Sequence, residues 1–110
     1  MSNELCLVYV TTKDAEQAKN ISYHLLKKKL IACSNVIPNM TSNYFWNGKL
    51  ENSNECILLL KTTNNLFDKL ESEIENLHSY DCPCIFSIPI KNCGKKYKQW
   101  LLSQLGEPND

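Results

Sequence analysis

The dipeptide Asn47-Gly48 constrains this chain of 110 residues more than any other pair in it. A type I′ turn demands positive φ at both central positions. Asn tolerates that and Gly adopts it freely, so the pair marks a two-residue β-hairpin. Strand-forming stretches flank it, Tyr44-Phe45-Trp46 before and Lys49-Leu50-Glu51 after, and the strand character extends from Ala32 to Thr62. A first arm from Ala32 to Trp46 spans about 50 Å at roughly 3.3 Å per residue, whereas a chain of this size packs into a globule about 35 Å across. Such a ribbon projects beyond its own domain and carries Tyr44, Phe45 and Trp46 at its far end. Aromatics held in water there form a sticky patch unless another subunit buries them, so the length of the ribbon predicts a homo-oligomer. The alternative is that Pro38 divides the arm into two ordinary strands, because proline cannot donate to a central ladder.

No Gly/Ser-rich or Pro-rich stretch divides the chain, and residues 1–110 read as one domain with one core. Twelve basic residues balance twelve acidic ones. No net field then draws the chain to DNA, RNA or anionic lipid, and neither nucleic acid nor membrane is an expected partner. Lys27-Lys28-Lys29 falls where the first helix should end, where cations meet the negative end of the helix dipole. Every basic residue is lysine. The chain therefore lacks the planar guanidinium fork on which bidentate recognition of phosphate or carboxylate relies. Met1-Ser2-Asn3-Glu4 shows no basic stretch leading into an apolar one, and no segment approaches the eighteen or so apolar residues of a membrane span. The expected location is cytoplasmic. In that reducing setting Cys6, Cys33, Cys56, Cys82, Cys84 and Cys93 are thiols or metal ligands rather than a disulfide framework.

Leu5 to Thr11 mixes apolar residues with β-formers and reads as a buried first strand. Asp14 caps a helix, with Gln17 three residues on as in a capping box and Ala15, Ala18, Ile21, Leu25 and Leu30 at helical spacing. After the hairpin, whose second arm ends in the wholly apolar run Cys56-Ile57-Leu58-Leu59-Leu60, Asn64 or Asn65 caps a second helix. Runs of that kind are expected to be buried on both faces. In the second helix Leu66, Phe67, Leu70, Ile74 and Leu77 line one stripe. Ile85 to Ile90 forms a short last strand, with Pro89 indicating an edge or a bulge. A third helix from about Lys95 carries Tyr97, Trp100, Leu101 and Leu105 and ends at Gly106 and Pro108. The order β-α-β-β-α-β with an extra C-terminal helix is the α+β, ferredoxin-like sandwich, here with a long hairpin between its second and third strands.

Cys82 and Cys84 flank Pro83 at the start of the last strand, and side chains two apart share a face when the backbone is extended. Soft sulfur ligands select Cu(I) or Zn(II), and His78 upstream can add an imidazole nitrogen, with Asp81 as its hydrogen-bond acceptor. His78, Cys82 and Cys84 are thus the metal-ligand candidates, and Cys93 is a weaker fourth. No metal is expected to be needed for folding. The competing reading makes the two cysteines small apolar fillers and His78 the last residue of a helix near its negative end. In a two-residue hairpin the register sets Trp46 opposite Lys49 and Tyr44 opposite Glu51, allowing a lysine-ring contact across the strands. Tyr44, Trp46, Lys49, Lys61 and Trp100 are candidates for a subunit interface, or for a ligand pocket between subunits.

The string Ala32-Cys33-Ser34-Asn35-Val36-Ile37-Pro38, then Thr41-Ser42, Tyr44, Trp46, Gly48-Lys49, Glu51 and Lys61-Thr62, closely resembles the CutA family of divalent-cation tolerance proteins. The likeness continues through His78-Ser79-Tyr80-Asp81-Cys82-Pro83-Cys84 and Pro89-Ile90. This resemblance implies a trimer of ferredoxin-like subunits whose hairpins reach across to their neighbours. It also implies metal-ion binding, a link to copper tolerance, and a structural likeness to the PII signalling proteins. The chain departs from the family's His-Pro-Tyr-Glu-x-Pro-Glu at Ser79, Asp81 and Cys84, exchanging the last carboxylate for a thiol. Val10 stands where the family often has a cysteine.

Other users of this fold leave marks that are missing here. A copper metallochaperone needs two cysteines after the first strand, where this chain has Thr11-Thr12-Lys13; an acylphosphatase needs an arginine. An RNA-recognition domain shows stacking aromatics where Cys56 to Leu60 is aliphatic. No enzymatic turnover is expected, although Cys84 and His78 could in principle pair as nucleophile and base. Two functions remain: a trimeric cytosolic protein that binds soft metal ions, and a PII-like trimer that binds a small metabolite or partner protein at subunit junctions.

Overall fold

The structure, a computed structural model, describes residues 4–106. The elements run β1 (Leu5–Thr12), α1 (Ala15–Lys27), β2 (Cys33–Trp46), β3 (Lys49–Thr63), a 3-10 turn (Asn64–Leu66), α2 (Phe67–Leu77), β4 (Ile85–Pro89) and α3 (Lys95–Gln104). The four strands form one sheet in the order β2-β3-β1-β4, antiparallel at every junction. This is the ferredoxin-like arrangement with a terminal helix added.

Local chemistry accounts for most of the boundaries. Asp14 accepts the Gln17 backbone N–H on Oδ1 at 2.8 Å, while Gln17 Oε1 accepts from the Lys13 N–H, one residue earlier than a capping box requires. α1 closes in a Schellman motif: Lys29 takes φ of 59°, its N–H donates to the Leu26 carbonyl, and the Leu30 N–H donates to the Leu25 carbonyl. The expected asparagine cap on α2 is absent. Asn64 instead donates its backbone N–H to the Glu4 carbonyl and opens the 3-10 turn, so α2 begins without a side-chain cap. Where α1 meets α2, His24 Nε2 lies 2.6 Å from Glu73, with Lys28 close by. The hydrogen bond from His24, more than the charge of Lys28, holds the Glu73 carboxyl below its ordinary range.

One face of the sheet is covered by α1 and α2. Val8, Val10, Leu58 and Leu60 pack there against Ile21, Leu25, Leu70 and Ile74, all essentially sealed from solvent. The opposite face is largely open. The run Cys56 to Leu60 is accordingly not buried on both sides: Cys56, Leu58 and Leu60 are buried, whereas Ile57 and Leu59 are only partly covered. Successive strand residues point to opposite faces, so Tyr9, Leu59, Phe86 and Ile88 line the open side, the last two each 45% exposed. α3 closes only one end of it, setting Leu101 on Leu5 and Ala32.

The hairpin turns at Asn47 (φ 51°) and Gly48 (φ 77°), with Trp46 opposite Lys49 and Tyr44 opposite Glu51. Pro38 does not end the arm, and β2 continues through it by a β-bulge. Ile37 pairs with Ile57 and Met40 with Glu55, so Pro38 and Asn39 together face the single residue Cys56, with Asn39 at φ 63°. The extra residue reverses the alternation of the outer arm. Met40, Ser42, Tyr44 and Trp46 therefore share the open face with Ile37, and Phe45 and Leu50 turn to the other side, 72% and 70% exposed. The protruding ribbon stretches the molecule to 45 × 32 × 24 Å, with a radius of gyration of 14.7 Å. A compact chain of this length has about 13 Å.

Candidate functional site

Between the outer half of the hairpin and the segment joining α2 to β4 lies a cleft of about 680 Å³. The hairpin contributes Tyr44, Trp46, Glu51 and Glu55, and the connecting segment contributes Tyr80, Asp81, Cys82 and Cys84, with Tyr9 and Thr11 from β1 behind them. Without the bulge at Pro38, the alternation would send Tyr44 and Trp46 to the wrong side of the ribbon.

His78 anchors the connecting segment rather than facing the cleft. Its Nε2 lies 2.7 Å from the Thr11 carbonyl and its Nδ1 accepts the Tyr80 backbone N–H at 3.1 Å, so the proton sits on Nε2 and both ring nitrogens are engaged by backbone. The His78 and Tyr80 rings meet at 4.6 Å. Gln17 Nε2 donates to Ser79 Oγ at 2.8 Å, a second tie to the main body. Held this way, Tyr80 donates its hydroxyl to Glu55 Oε2 at 2.6 Å. Burial, reinforced by the Glu55 carboxylate, pushes the Tyr80 phenol far above its ordinary range and keeps it a donor. Tyr44 and Ser53 pair through their hydroxyls at 2.7 Å.

Of the three metal-ligand candidates, Cys82 and Cys84 both reach the cleft, the first exposed and the second half-buried. Burial, and then the nearby Glu55 and Cys82, push the Cys84 thiol up. Among the described residues, no three His, Cys, Asp or Glu side chains are grouped to hold an ion. Within one chain the cleft thus offers two thiols as soft donors, with His78 committed elsewhere. His78→Ala is expected to cost roughly 2 kcal/mol in a denaturant titration, because it strands a carbonyl and an amide that now pair through the ring. The same variant should leave metal affinity unchanged. A large loss of affinity at unaltered stability would make His78 a ligand after all.

The interface candidates separate into two groups. Tyr44 and Trp46 line the cleft; Lys49 stands beside Trp46 at the ribbon tip, outside the lining. Lys61 lies six residues from Glu55 along β3, about 20 Å away. There its ammonium sits 5.4 Å from the Tyr97 ring, and Tyr97 in turn meets Trp100 at 5.5 Å. A pocket joining Tyr44, Trp46 and Lys61 is not formed within a single chain. Tyr80, part of the family-like segment but given no role there, and Glu55, to which no sequence reading points, carry the cleft's central hydrogen bond. The available signal was a lone carboxylate directly ahead of the apolar run at Cys56, a costly neighbour for a charge without a partner.

The family described as CutA1 divalent ion tolerance protein matches residues 6–104. The chain belongs to the CutA1 family. A CutA relative from Thermus thermophilus, a divalent-cation tolerance protein, is 36% identical over 100 residues, covering 91% of this chain and 97% of its own. The crystal structure of CutA1 from Ehrlichia chaffeensis superposes with a TM-score of 0.88 at 41% identity, covering 94% of this chain and 96% of that one. The chloroplastic CutA 1 of rice is 36% identical over 101 residues; the chain spans 57% of that relative's length. The CutA1 likeness therefore takes in the whole sheet, the three helices and the segment that carries His78, Cys82 and Cys84.

Proposed function

We propose that this CutA1-family chain acts in divalent-cation tolerance as a cytosolic homotrimer that binds soft metal ions as cargo, without catalytic turnover. The observation that carries this reading is the pair of thiols, Cys82 and Cys84, two residues apart on the rim of one cleft. Sulfur donors favour Cu(I), whereas Zn(II) takes four ligands as a rule. With two thiols and no third donor grouped with them among the described residues, copper suits the site better than zinc. Such thiols need a reducing compartment to stay free. The trimer is supported by the open face, where Tyr9, Leu59, Phe86 and Ile88 form an apolar surface continuous with the ribbon.

The test is an anaerobic Cu(I) competition titration on the wild type and on the Cys82→Ser, Cys84→Ser double variant, with native mass measured in parallel. Affinity in the double variant should fall at least ~100-fold, as expected on losing soft ligands. Equal affinity in the two proteins removes the thiol site, and a single-chain mass at micromolar concentration removes the trimer. The cleft itself favours a second reading, in which a small molecule occupies it as in a PII-like signalling trimer, since its volume falls within the span usual for ligand pockets.

A further inference from the structure

The charge and shape of the cleft say more about an occupant than its thiols do. Three aromatic rings line it, from Tyr44, Trp46 and Tyr80, with Tyr9 behind them and stacked on Phe86 at 4.8 Å, and they come with three carboxylates, Glu51, Glu55 and Asp81. No lysine belongs to its lining, although the chain as a whole is neutral. Lysine-ring contacts elsewhere join Lys19 to Tyr23 and Lys61 to Tyr97, so the faces of Tyr44, Trp46 and Tyr80 are not taken up by a cation of the protein itself among the described residues. Glu55 is the decisive group. It is only 8% exposed, yet it is a charged residue at the floor of an open cleft, and Tyr80 satisfies just one of its oxygens. Oε1 has no hydrogen-bond partner among the described residues. Ser22 Oγ is the single buried side-chain oxygen without a partner among the described residues, so Glu55 Oε1 is open to the cleft and free to face an occupant, and a carboxylate beside aromatic faces attracts cations that are weakly hydrated.

We infer that the cleft binds a small organic cation of the alkylammonium class, with Trp46, Tyr44 and Tyr80 packing on its methyl or methylene groups and Glu55 opposing its charge. A bare alkali ion is too strongly hydrated to gain from ring faces, and an anion would meet three carboxylates. The rings and carboxylates all come from one chain, so the site requires neither the thiols nor the trimer.

Tetramethylammonium chloride titrated into the full chain at constant ionic strength, against sodium chloride, tests this through the tryptophan indole N–H resonances. Saturable shifts are expected at Trp46, with Trp100 unmoved because it lies on α3 away from the cleft. Glu55→Gln keeps an acceptor for Tyr80 and should weaken binding at least ~10-fold, as should Trp46→Leu at a site that is half exposed. The Cys82→Ser, Cys84→Ser variant should bind tetramethylammonium as the wild type does, which separates this site from the metal reading. Shifts no larger than those with sodium chloride overturn the inference. So does undiminished affinity in Glu55→Gln, loss of binding in the double cysteine variant, or equal binding of tert-butanol, a neutral molecule of the same shape.

Discussion

Leu58→Ala is expected to lower the free energy of unfolding by about 3–5 kcal/mol, read from denaturant midpoints at constant slope. Leu58 is fully buried in the centre of β3, between Val10 of β1 and Val36 of β2, and beneath the two helices that close the core. Its removal leaves a void that Val8, Leu25 and Ile74 cannot fill without leaving their own positions, because all three are themselves fully enclosed. The loss should appear at every protein concentration compared with wild type, since α1 and α2 of the same chain cover that side of the sheet's centre. A change below about 1 kcal/mol would mean that the helical layer is loosely packed, contrary to the density of ordinary interiors.

The adjacent residue should behave in the opposite way. Leu59→Glu places a charge on the open face between Tyr9 and Asn35, where the side chain of an isolated subunit can still reach water. Secondary structure should survive. In the proposed trimer that face is covered, and an unpaired buried charge costs roughly 3 kcal/mol or more in every subunit. The expected result is a fall in native mass from three chains to one at micromolar concentration, with the far-ultraviolet spectrum retained. Persistence of a trimer in this variant would place the subunit contact on another surface, such as the Phe45 and Leu50 side of the ribbon.

These two neighbours also mark where the sequence was informative and where it was not. An apolar run reads identically whether one or both of its sides are covered within the chain, so Cys56 to Leu60 was expected to be sealed on both faces, and it is sealed on one. The cap on α2 was misplaced for a related reason. Asn64 and Asn65 have the right chemistry, but the backbone of Asn64 is drawn to Glu4 and opens a 3-10 turn first. In the sequence His78 is open to two readings, a metal-ligand candidate near two thiols or the end of a helix. Only the fold reveals that the end of β1 comes within reach of its ring and takes up that nitrogen.

Turn chemistry, capping and hydrophobic period were enough to define the strands, the helices and their order, because each depends on residues close together in the chain. The Asn47-Gly48 turn, the Asp14 cap and the apolar stripe of Ala18, Ile21 and Leu25 along α1 are all of that kind. The cleft depends on contacts between residues far apart. Glu55 meets Tyr80 across 25 positions, and the bulge at Pro38 decides which aromatics of the ribbon face them. Side-chain direction reverses with one inserted residue, and no local pattern records whether that insertion will be absorbed as a bulge or as a break in the strand.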